Sequence, residues 1–297
     1  MRAIEPILIT DLNMASNVSE DEPVYNPATS YAAGAVVRGN TEATQHLLFK
    51  SAVAGNTGQA LNDPTKWLPA GMTNRWKMYD SGIATQTVNA DVISSTVTTP
   101  KSSDSVALLN INAANLEILI KDSLGAEYFR LAQPLTSTLG IGNWYAWFNS
   151  SPVRATDFYV RDLPAFLGAL ITVTLDDYGN DVAIGAMITG PSIDLGTTQY
   201  GARIGITDYS VKETDDYGNF VILQRAYSRR GSYTLVVPAE RVDFVFNVLS
   251  GLRATPTLFI GSELYGATFT YGFYKSFEFG IEYQKYSLLS IDLEGLT

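Results

Sequence analysis

Short apolar segments separated by turn residues recur along most of this 297-residue chain, and this pattern constrains the fold more than any other feature. The segments are rich in Val, Ile, Leu, Tyr and Phe, whereas Gly, Asn, Asp and Pro stand between them, as is typical of β-strands joined by turns. Charged residues make up only 17% of the chain, which is few for a protein built on long solvated helices. The pattern therefore predicts a mainly β fold.

The length allows two or three domains of roughly 100–150 residues each, and we predict three regions. Residues 1–73 hold an N-terminal arm and a small β module. Residues 74–192 carry about seven strand candidates, which predict an antiparallel sandwich of the jelly-roll or galactose-binding-like kind. Residues 193–297 form a third strand-rich region with one helix. The predicted strands are 35–38, 47–52, 106–112, 116–122, 128–132, 144–149, 157–161, 170–175, 183–189, 202–210, 220–228, 232–237, 257–260, 269–283 and 287–293.

One helix is predicted at residues 239–250. Pro238 suits the start of a helix, and Gly251 suits its end. Four apolar residues recur at i, i+3, i+4 and i+7, and this spacing puts them on one face that we expect to pack on a sheet. They are Val242, Val245, Phe246 and Leu249.

The pentapeptide Asp-Asp-Tyr-Gly-Asn occurs twice, at residues 176–180 and 215–219, each time before an apolar strand. Asp and Asn oxygens are ligands that calcium prefers, so a calcium loop is one interpretation. The spacing lacks the alternating acidic order of a calcium loop, and Gly, Asn and Asp are the residues that tight turns favour. We therefore predict a hairpin turn at each copy and no metal site.

Groups for nucleophilic or acid–base catalysis are sparse. The chain has no cysteine, which excludes disulfides and thiolate chemistry. Its single histidine, His46, directly precedes an apolar strand without any nucleophile motif, so we predict a strand-edge histidine and not a member of a catalytic triad. A carboxylate pair that hydrolyses glycosidic bonds stays open, because the chain has 30 acidic residues. We assign no catalytic residue and no cofactor, and we expect a protein that is not an enzyme.

The formal net charge of the chain is −10. A nucleic-acid-binding surface is basic, so this balance argues against nucleic acid as a partner, and it also argues against docking on anionic lipid. Residues 1–11 lack the long apolar run of a signal peptide, and no window approaches about 18 uninterrupted apolar residues. We expect no membrane insertion and no cleavable export signal.

Four aromatic rings lie within the five residues from Trp144 to Phe148. We predict a strand here, with Trp144, Ala146 and Phe148 on one face and the other two rings on the opposite face. A strand of this kind lines a groove in one interpretation. Because both faces of a sandwich strand near an interface can be buried, we favour core packing or a subunit contact.

The segment from Tyr25 to Trp67 contains an aromatic residue, a Tyr-x-x-Gly turn, an apolar pair, a short strand and a closing tryptophan, in that order. It resembles the small chitin-binding modules of secreted glycosidases, although Tyr25 stands where those modules usually have Trp. The resemblance implies sugar contact through Tyr25, Tyr31 and Trp67, because flat rings stack on the C–H faces of sugars. The alternative is that Tyr31 and Trp67 hold a thin core together.

An ordered series of short motifs covers about residues 20–297 and resembles distal-tail or upper-baseplate proteins of tailed bacteriophages. It includes Asn-Arg-Trp-Lys-Met-Tyr-Asp at 74–80, Tyr-Gly-Phe-Tyr-Lys-Ser-Phe at 271–277 and Ile-Asp-Leu-Glu-Gly-Leu at 291–296. The resemblance implies a structural protein of the virion, with a tail-tube-like β-sandwich or barrel in the third region.

The same resemblance implies partners and a location. The third region is expected to form a ring, a hexamer in a distal-tail protein, while the first two regions project outward. The implied partners are further copies of the chain, the tail tube, the baseplate hub and, through the module, a host-surface glycan. The implied location is the tail tip, after assembly in the host cytoplasm.

Two other classes of function stay open. The first is a carbohydrate-binding adhesin in which residues 1–73 carry the function, and loss of glycan binding in Tyr25→Ala or Trp67→Ala would distinguish it. The second is a carboxylate glycosidase, which turnover of a host polysaccharide, abolished by the change of one acidic residue, would distinguish.

Overall fold

The computed structural model describes residues 1–20, 22–137, 143–149, 153–214, 218 and 220–297. Across these residues the chain is mainly β, with several antiparallel sheets of the sandwich class, and this confirms the predicted fold class. The specific likenesses to a jelly roll and to a tail-tube domain stay predictions.

In chain order the described strands are β1 (Arg2–Ile4), β2 (Met14–Ser16), β3 (Val36–Arg38), β4 (Leu47–Ser51), β5 (Trp67–Met72), β6 (Thr87–Thr98), β7 (Ser105–Asn112), β8 (Asn115–Lys121), β9 (Glu127–Pro134), β10 (Thr136–Ser137), β11 (Val153–Arg154), β12 (Phe158–Val160), β13 (Leu170–Gly190), β14 (Ser192–Asp194), β15 (Thr197–Thr198), β16 (Arg203–Asp208), β17 (Val211–Thr214), β18 (Phe220–Leu223), β19 (Tyr227–Pro238), β20 (Thr257–Ile260), β21 (Phe269–Gly280) and β22 (Tyr286–Gly295). The helices are α1 (Trp144–Asn149) and α2 (Val242–Gly251), and short 3₁₀ turns lie at Lys77–Tyr79, Ala239–Arg241 and Gly266–Thr268.

A seven-stranded antiparallel sheet is organised around the long strand β13. Its strands follow the order β12, β7, β13, β6 and β2, and β8 and β9 extend it from β13. One edge of β13 pairs with β6, while the other pairs first with β8 and then with β7. The register of β13 shifts between Asp176 and Asp181. Because a bulge bends a strand, this shift marks a bend between the part of β13 that pairs with β8 and the part that pairs with β7.

An eight-stranded sheet forms the other large unit. Its order is β14, β1, β20, β21, β22, β19 and β15, and β16 also pairs with β19. The two ends of this order, β14 and β15, are joined by only Leu195 and Gly196, so the sheet curves back toward itself. Helix α2 packs Val245 and Leu249 into the core of this sheet, which confirms the predicted helix. Phe246 of the predicted apolar stripe is half exposed.

The two large sheets share an apolar core. Ala107 and Leu109 of β7, together with Ile188 of β13, pack in one cluster with Ile4 of β1 and Tyr271 of β21. Residues 183–190 of β13 are all buried, since one face of the strand meets this cluster and the other meets the core of its own sheet. The second and third predicted regions are therefore packed against each other.

The small β module is a three-stranded sheet of β3, β4 and β5. Its first two strands lie at the positions predicted from the sequence. The arm at residues 1–20 contributes β1 to the eight-stranded sheet and β2 to the seven-stranded sheet. The arm is thus woven into both large sheets, although it belongs in sequence to the first predicted region.

Two local predictions were wrong. Residues 144–149 form the helix α1 and not a strand. Residues 176–180 are not a hairpin turn but lie inside β13 at its register shift, where Gly179 has a φ of 82° that glycine tolerates best. The second pentapeptide lies largely outside the described residues, which omit 215–217 and 219. The strands that flank it, β17 and β18, pair antiparallel with each other.

Candidate functional site

The three aromatic residues predicted to contact sugar do come together, and we call them the aromatic cluster. The ring centroids of Tyr25 and Trp67 are 5.5 Å apart, and those of Tyr31 and Trp67 are 5.4 Å apart, both edge-on. Tyr25 and Tyr31 stack at 5.9 Å. The backbone holds Tyr31 in place, because Tyr31 and Asn56 exchange two N–H···O hydrogen bonds of 3.0 Å. Trp67 is the first residue of β5.

Burial decides what this cluster can do. Trp67 is 1% exposed and Tyr25 8% exposed, while Tyr31 is half-buried. The Tyr25 hydroxyl and the Trp67 indole N–H both donate to the carbonyl oxygen of Gln59, at 2.6 and 3.2 Å. Burial, with a smaller contribution from Tyr31, raises the pKa of the Tyr25 hydroxyl. The rings of Tyr25 and Trp67 thus form the core of the module, and only Tyr31 offers ring surface for stacking.

His46 is the centre of a polar network that the sequence did not reveal. Its Nδ1 lies 2.9 Å from a carboxylate oxygen of Glu20, and its Nε2 lies 2.9 Å from one of Asp11. Glu20 also accepts from Arg38 and Thr73, at 2.8 and 2.7 Å. Since Asp11 and Glu20 belong to the arm while Arg38 and Thr73 belong to the module and its exit, the network ties the module to the large sheets.

The first Asp-Asp-Tyr-Gly-Asn segment uses its carboxylates within the protein. The buried carboxylate of Asp177 pairs with Arg154. Asp176 accepts from Asn115 at 2.8 Å, and the Gly179 N–H donates to Asp91 at 2.7 Å. Among the residues described, no group of three or more His, Asp or Glu side chains is placed to hold a metal ion.

Three aromatic side chains of α1 lie at the surface. Trp144, Tyr145 and Phe148 are each exposed by more than three quarters, so the predicted core packing is wrong for these three rings. A subunit contact through them stays a prediction.

The apolar hairpin, which we define as β17 and β18, is the most unusual surface in the described structure. Phe220, Val221, Ile222 and Leu223 are consecutive and exposed by 75%, 58%, 68% and 53%. The hairpin pairs with no other strand among the described residues. Soluble monomers rarely leave contiguous apolar surface of this kind in water, and such surface marks a contact site.

A large concavity, which we call the end cavity, lies at one end of the eight-stranded sheet and has a volume of about 880 Å³. Its wall includes Ile204, Tyr233 and Ile260, and its exposed rim includes Leu264 and Tyr265. Nothing in the sequence pattern indicated the cavity, because its lining comes from four separate parts of the chain that only the fold brings together.

The chain matches no protein-family model, no curated protein and no solved structure. No helix in the described ranges has the length and hydropathy that a membrane crossing requires.

Proposed function

We propose that this chain is a structural virion protein of a bacteriophage tail tip, which assembles with copies of itself into a ring. The observation that carries the proposal is the apolar hairpin, whose four consecutive exposed residues from Phe220 to Leu223 need a covering partner. The motif series at residues 74–80, 271–277 and 291–296 supplies the resemblance to tail-tip proteins, and the sandwich architecture is compatible with it.

The shared core favours one rigid subunit as the building block of that ring. Ile4, Leu109 and Tyr271 come from distant parts of the chain and lie in one cluster between the two large sheets. Interdigitated apolar packing of this kind resists relative motion of the sheets. A ring of such subunits transmits a change at the host-facing side to the neighbouring copies without unfolding any of them.

In this proposal the small β module is a peripheral, host-directed surface. Its attachment through the His46 network holds it in one position relative to the arm. Glycan contact by the module stays a prediction, and Tyr31 is the member of the aromatic cluster that has ring surface available for it.

Electron microscopy tests the proposal at two levels. Negative-stain images of the purified full chain should show closed rings of one diameter. Antibody to the module should then decorate one end of the tail on virions whose genome encodes the chain. A chain that stays strictly monomeric and is absent from the particles would contradict the proposal.

A further inference from the structure

The apolar hairpin projects away from the body of the eight-stranded sheet. β16 and β19 pair from Arg203 opposite Ser232 to Asp208 opposite Tyr227. The Tyr209 N–H then donates to the Ala226 carbonyl at 3.3 Å, and β17 and β18 continue the same two-stranded ribbon. The hairpin is therefore the far end of one long ribbon, and its base alone is anchored in the sheet.

Each face of the hairpin carries two large apolar side chains of β18 beside one charged residue of β17, Lys212 on one face and Glu213 on the other. Residues directly opposite each other in an antiparallel pair lie on the same face, and neighbours along a strand lie on opposite faces. Phe220 and Ile222 therefore share one face, while Val221 and Leu223 share the other with Val211. A flat partner covers only one of these faces. A slot or a concavity, which has more than one wall, covers both.

The end cavity has the size and the lining for such an insertion. A volume of about 880 Å³ is within the roughly 300–1,000 Å³ of sites that enclose whole ligands. The buried ring of Tyr233 lies between two glycines, since a Cβ atom at Gly231 or at Gly261 would come within 2.4 Å of it. These glycines keep that part of the wall free of further side chains. Leu264 and Tyr265 extend the apolar surface at the rim.

The charged groups of the cavity wall already have partners. Glu263 pairs with Arg2 and Arg161, at 3.8 and 2.7 Å. Asp194 pairs with Arg241 at 3.1 Å. The Met1 ammonium, which also lines the cavity, donates to the Gly196 carbonyl oxygen. Because the carboxylates of the wall are paired within the chain, the cavity can take apolar side chains such as those of Phe220 and Ile222.

The hairpin does not reach the cavity of its own chain. Ile204 lines the cavity, and Thr214, which pairs with Phe220, lies ten residues further along the ribbon. At about 3.3 Å per residue this places the hairpin end roughly 33 Å from the cavity. We propose that the apolar hairpin of one copy seats in the end cavity of the next copy. This inference rests on the proposed function and names its interface.

The geometry of this contact accounts for a ring. Two different surfaces of one chain meet in it, which makes the interface head-to-tail, and head-to-tail interfaces close into rings when the rotation permits. The four exposed side chains together offer on the order of 400 Å², about half of one partner's share of a standard interface. Each copy uses the hairpin once and the cavity once, so the closed ring doubles the surface that each copy buries.

Cysteine cross-linking tests the contact directly, because the full chain contains no cysteine. Ile222→Cys and Leu264→Cys chains are mixed and oxidised, and a disulfide forms only where the two Cα atoms approach within about 7 Å. We expect a covalent heterodimer in the mixture and none with Leu167→Cys, a matched control at an exposed leucine, in place of Leu264→Cys. Self-linked Ile222→Cys dimers in place of the heterodimer would overturn the head-to-tail contact.

A mixing experiment separates failure of this inference from failure of the proposed function. The double variant Phe220→Thr/Ile222→Thr lacks the apolar side chains of one hairpin face, and Leu264→Asp/Tyr265→Asp lacks an apolar cavity rim. Each should be monomeric alone, and an equimolar mixture should form a dimer, since one intact hairpin and one intact cavity remain. If wild type forms rings and both variants do so too, the inference is wrong and the ring stands. If wild type is monomeric at every concentration, both are wrong.

Discussion

The small β module and the apolar hairpin are both small β structures rich in large apolar side chains, but they place those side chains in opposite environments. In the module, Tyr25 and Trp67 are buried, and their polar atoms are satisfied by the Gln59 carbonyl. In the hairpin, Phe220 and Ile222 are exposed and have no covering strand among the described residues. The aromatic side chains of the module pack into its own core, whereas the apolar side chains of the hairpin need another surface to cover them.

This difference changes which residues deserve functional tests. The order of the aromatic residues in the module indicated sugar contact, yet the two most buried of them, Tyr25 and Trp67, form its core. The residues from Phe220 to Leu223 were predicted only as part of a strand at 220–228, yet they form an exposed apolar surface that needs a partner. Truncation should therefore cost folding stability at the cluster and assembly at the hairpin.

The largest effect is expected for Trp67→Ala. Removal of a fully buried tryptophan costs about 3–5 kcal/mol, enough to unfold a module with so thin a core. Hydrogen exchange followed by mass spectrometry should show loss of protection in β3, β4 and β5. The neighbouring Leu68→Ala is the matched control, because Leu68 is half exposed and its truncation should change little. Equal protection in both variants would contradict the structural role of Trp67.

The double variant Phe220→Thr/Ile222→Thr is expected to lose assembly while it keeps its folding stability. Thr keeps the strand preference of the segment and removes the apolar side chains from the Phe220/Ile222 face. We expect loss of the oligomer in sedimentation velocity, while the free energy of unfolding changes by no more than about 0.5 kcal/mol, because both side chains are exposed. Leu167→Thr, at another exposed site, should leave the oligomer intact. Unfolding of the double variant would show that the hairpin belongs to the core.

The free energy of unfolding is expected to depend on pH through Tyr271, a buried residue of the shared core. Burial, with the negative charge of Asp80 adding to it, raises the pKa of Tyr271 to about 12. The folded chain holds this proton to higher pH than the unfolded chain, whose tyrosines titrate near 10. The contribution of the protonated Tyr271 hydroxyl to the free energy of unfolding is therefore complete below pH 10 and is lost as pH rises through about 12. Chemical denaturation at stepped pH should show this decline, and Tyr271→Phe should lessen it. An unchanged slope in the variant would rule out Tyr271 as its source.

The smallest effect is expected for Tyr25→Phe. This change removes only the hydroxyl that donates to Gln59, and the carbonyl keeps its bond from the Trp67 indole. Removal of one hydrogen bond should lower the free energy of unfolding by about 0.5–1.5 kcal/mol. Thermal unfolding of the module, read by tryptophan fluorescence, measures it. A loss as large as that of Trp67→Ala would mean that the hydroxyl, and not ring packing, holds the module.

Much of the fold was accessible from the sequence where the local pattern and the final burial agree. The strand at 257–260 has three consecutive apolar residues, is buried throughout and lies where it was predicted, and the helix at 242–251 follows its apolar spacing. Strand β6 was missed because its buried positions include Thr87 and Ser95 as well as Ile93 and Val97. Buried and more exposed residues do alternate in β6. Because Thr and Ser occupy some of the buried positions, a pattern based on apolar residues does not detect this alternation.

The remaining errors come from long-range structure. Aromatic residues favour strands, so the segment from Trp144 to Phe148 was predicted as a strand although it forms a helix at the surface. The turn residues at 176–180 lie in a bulge of β13 and not in a hairpin turn, because β13 continues on both sides of them in one sheet. No local sequence pattern indicates the exposure of Phe220 or the end cavity, since both depend on how distant strands pair.

Sedimentation velocity of the wild-type full chain beside Phe220→Thr/Ile222→Thr compares assembly with and without the apolar Phe220/Ile222 face. We expect a single closed oligomer for wild type and a folded monomer for the double variant at the same concentrations. A wild-type chain that remains monomeric, or a double variant that assembles as wild type does, would contradict the claim that the apolar hairpin builds the ring.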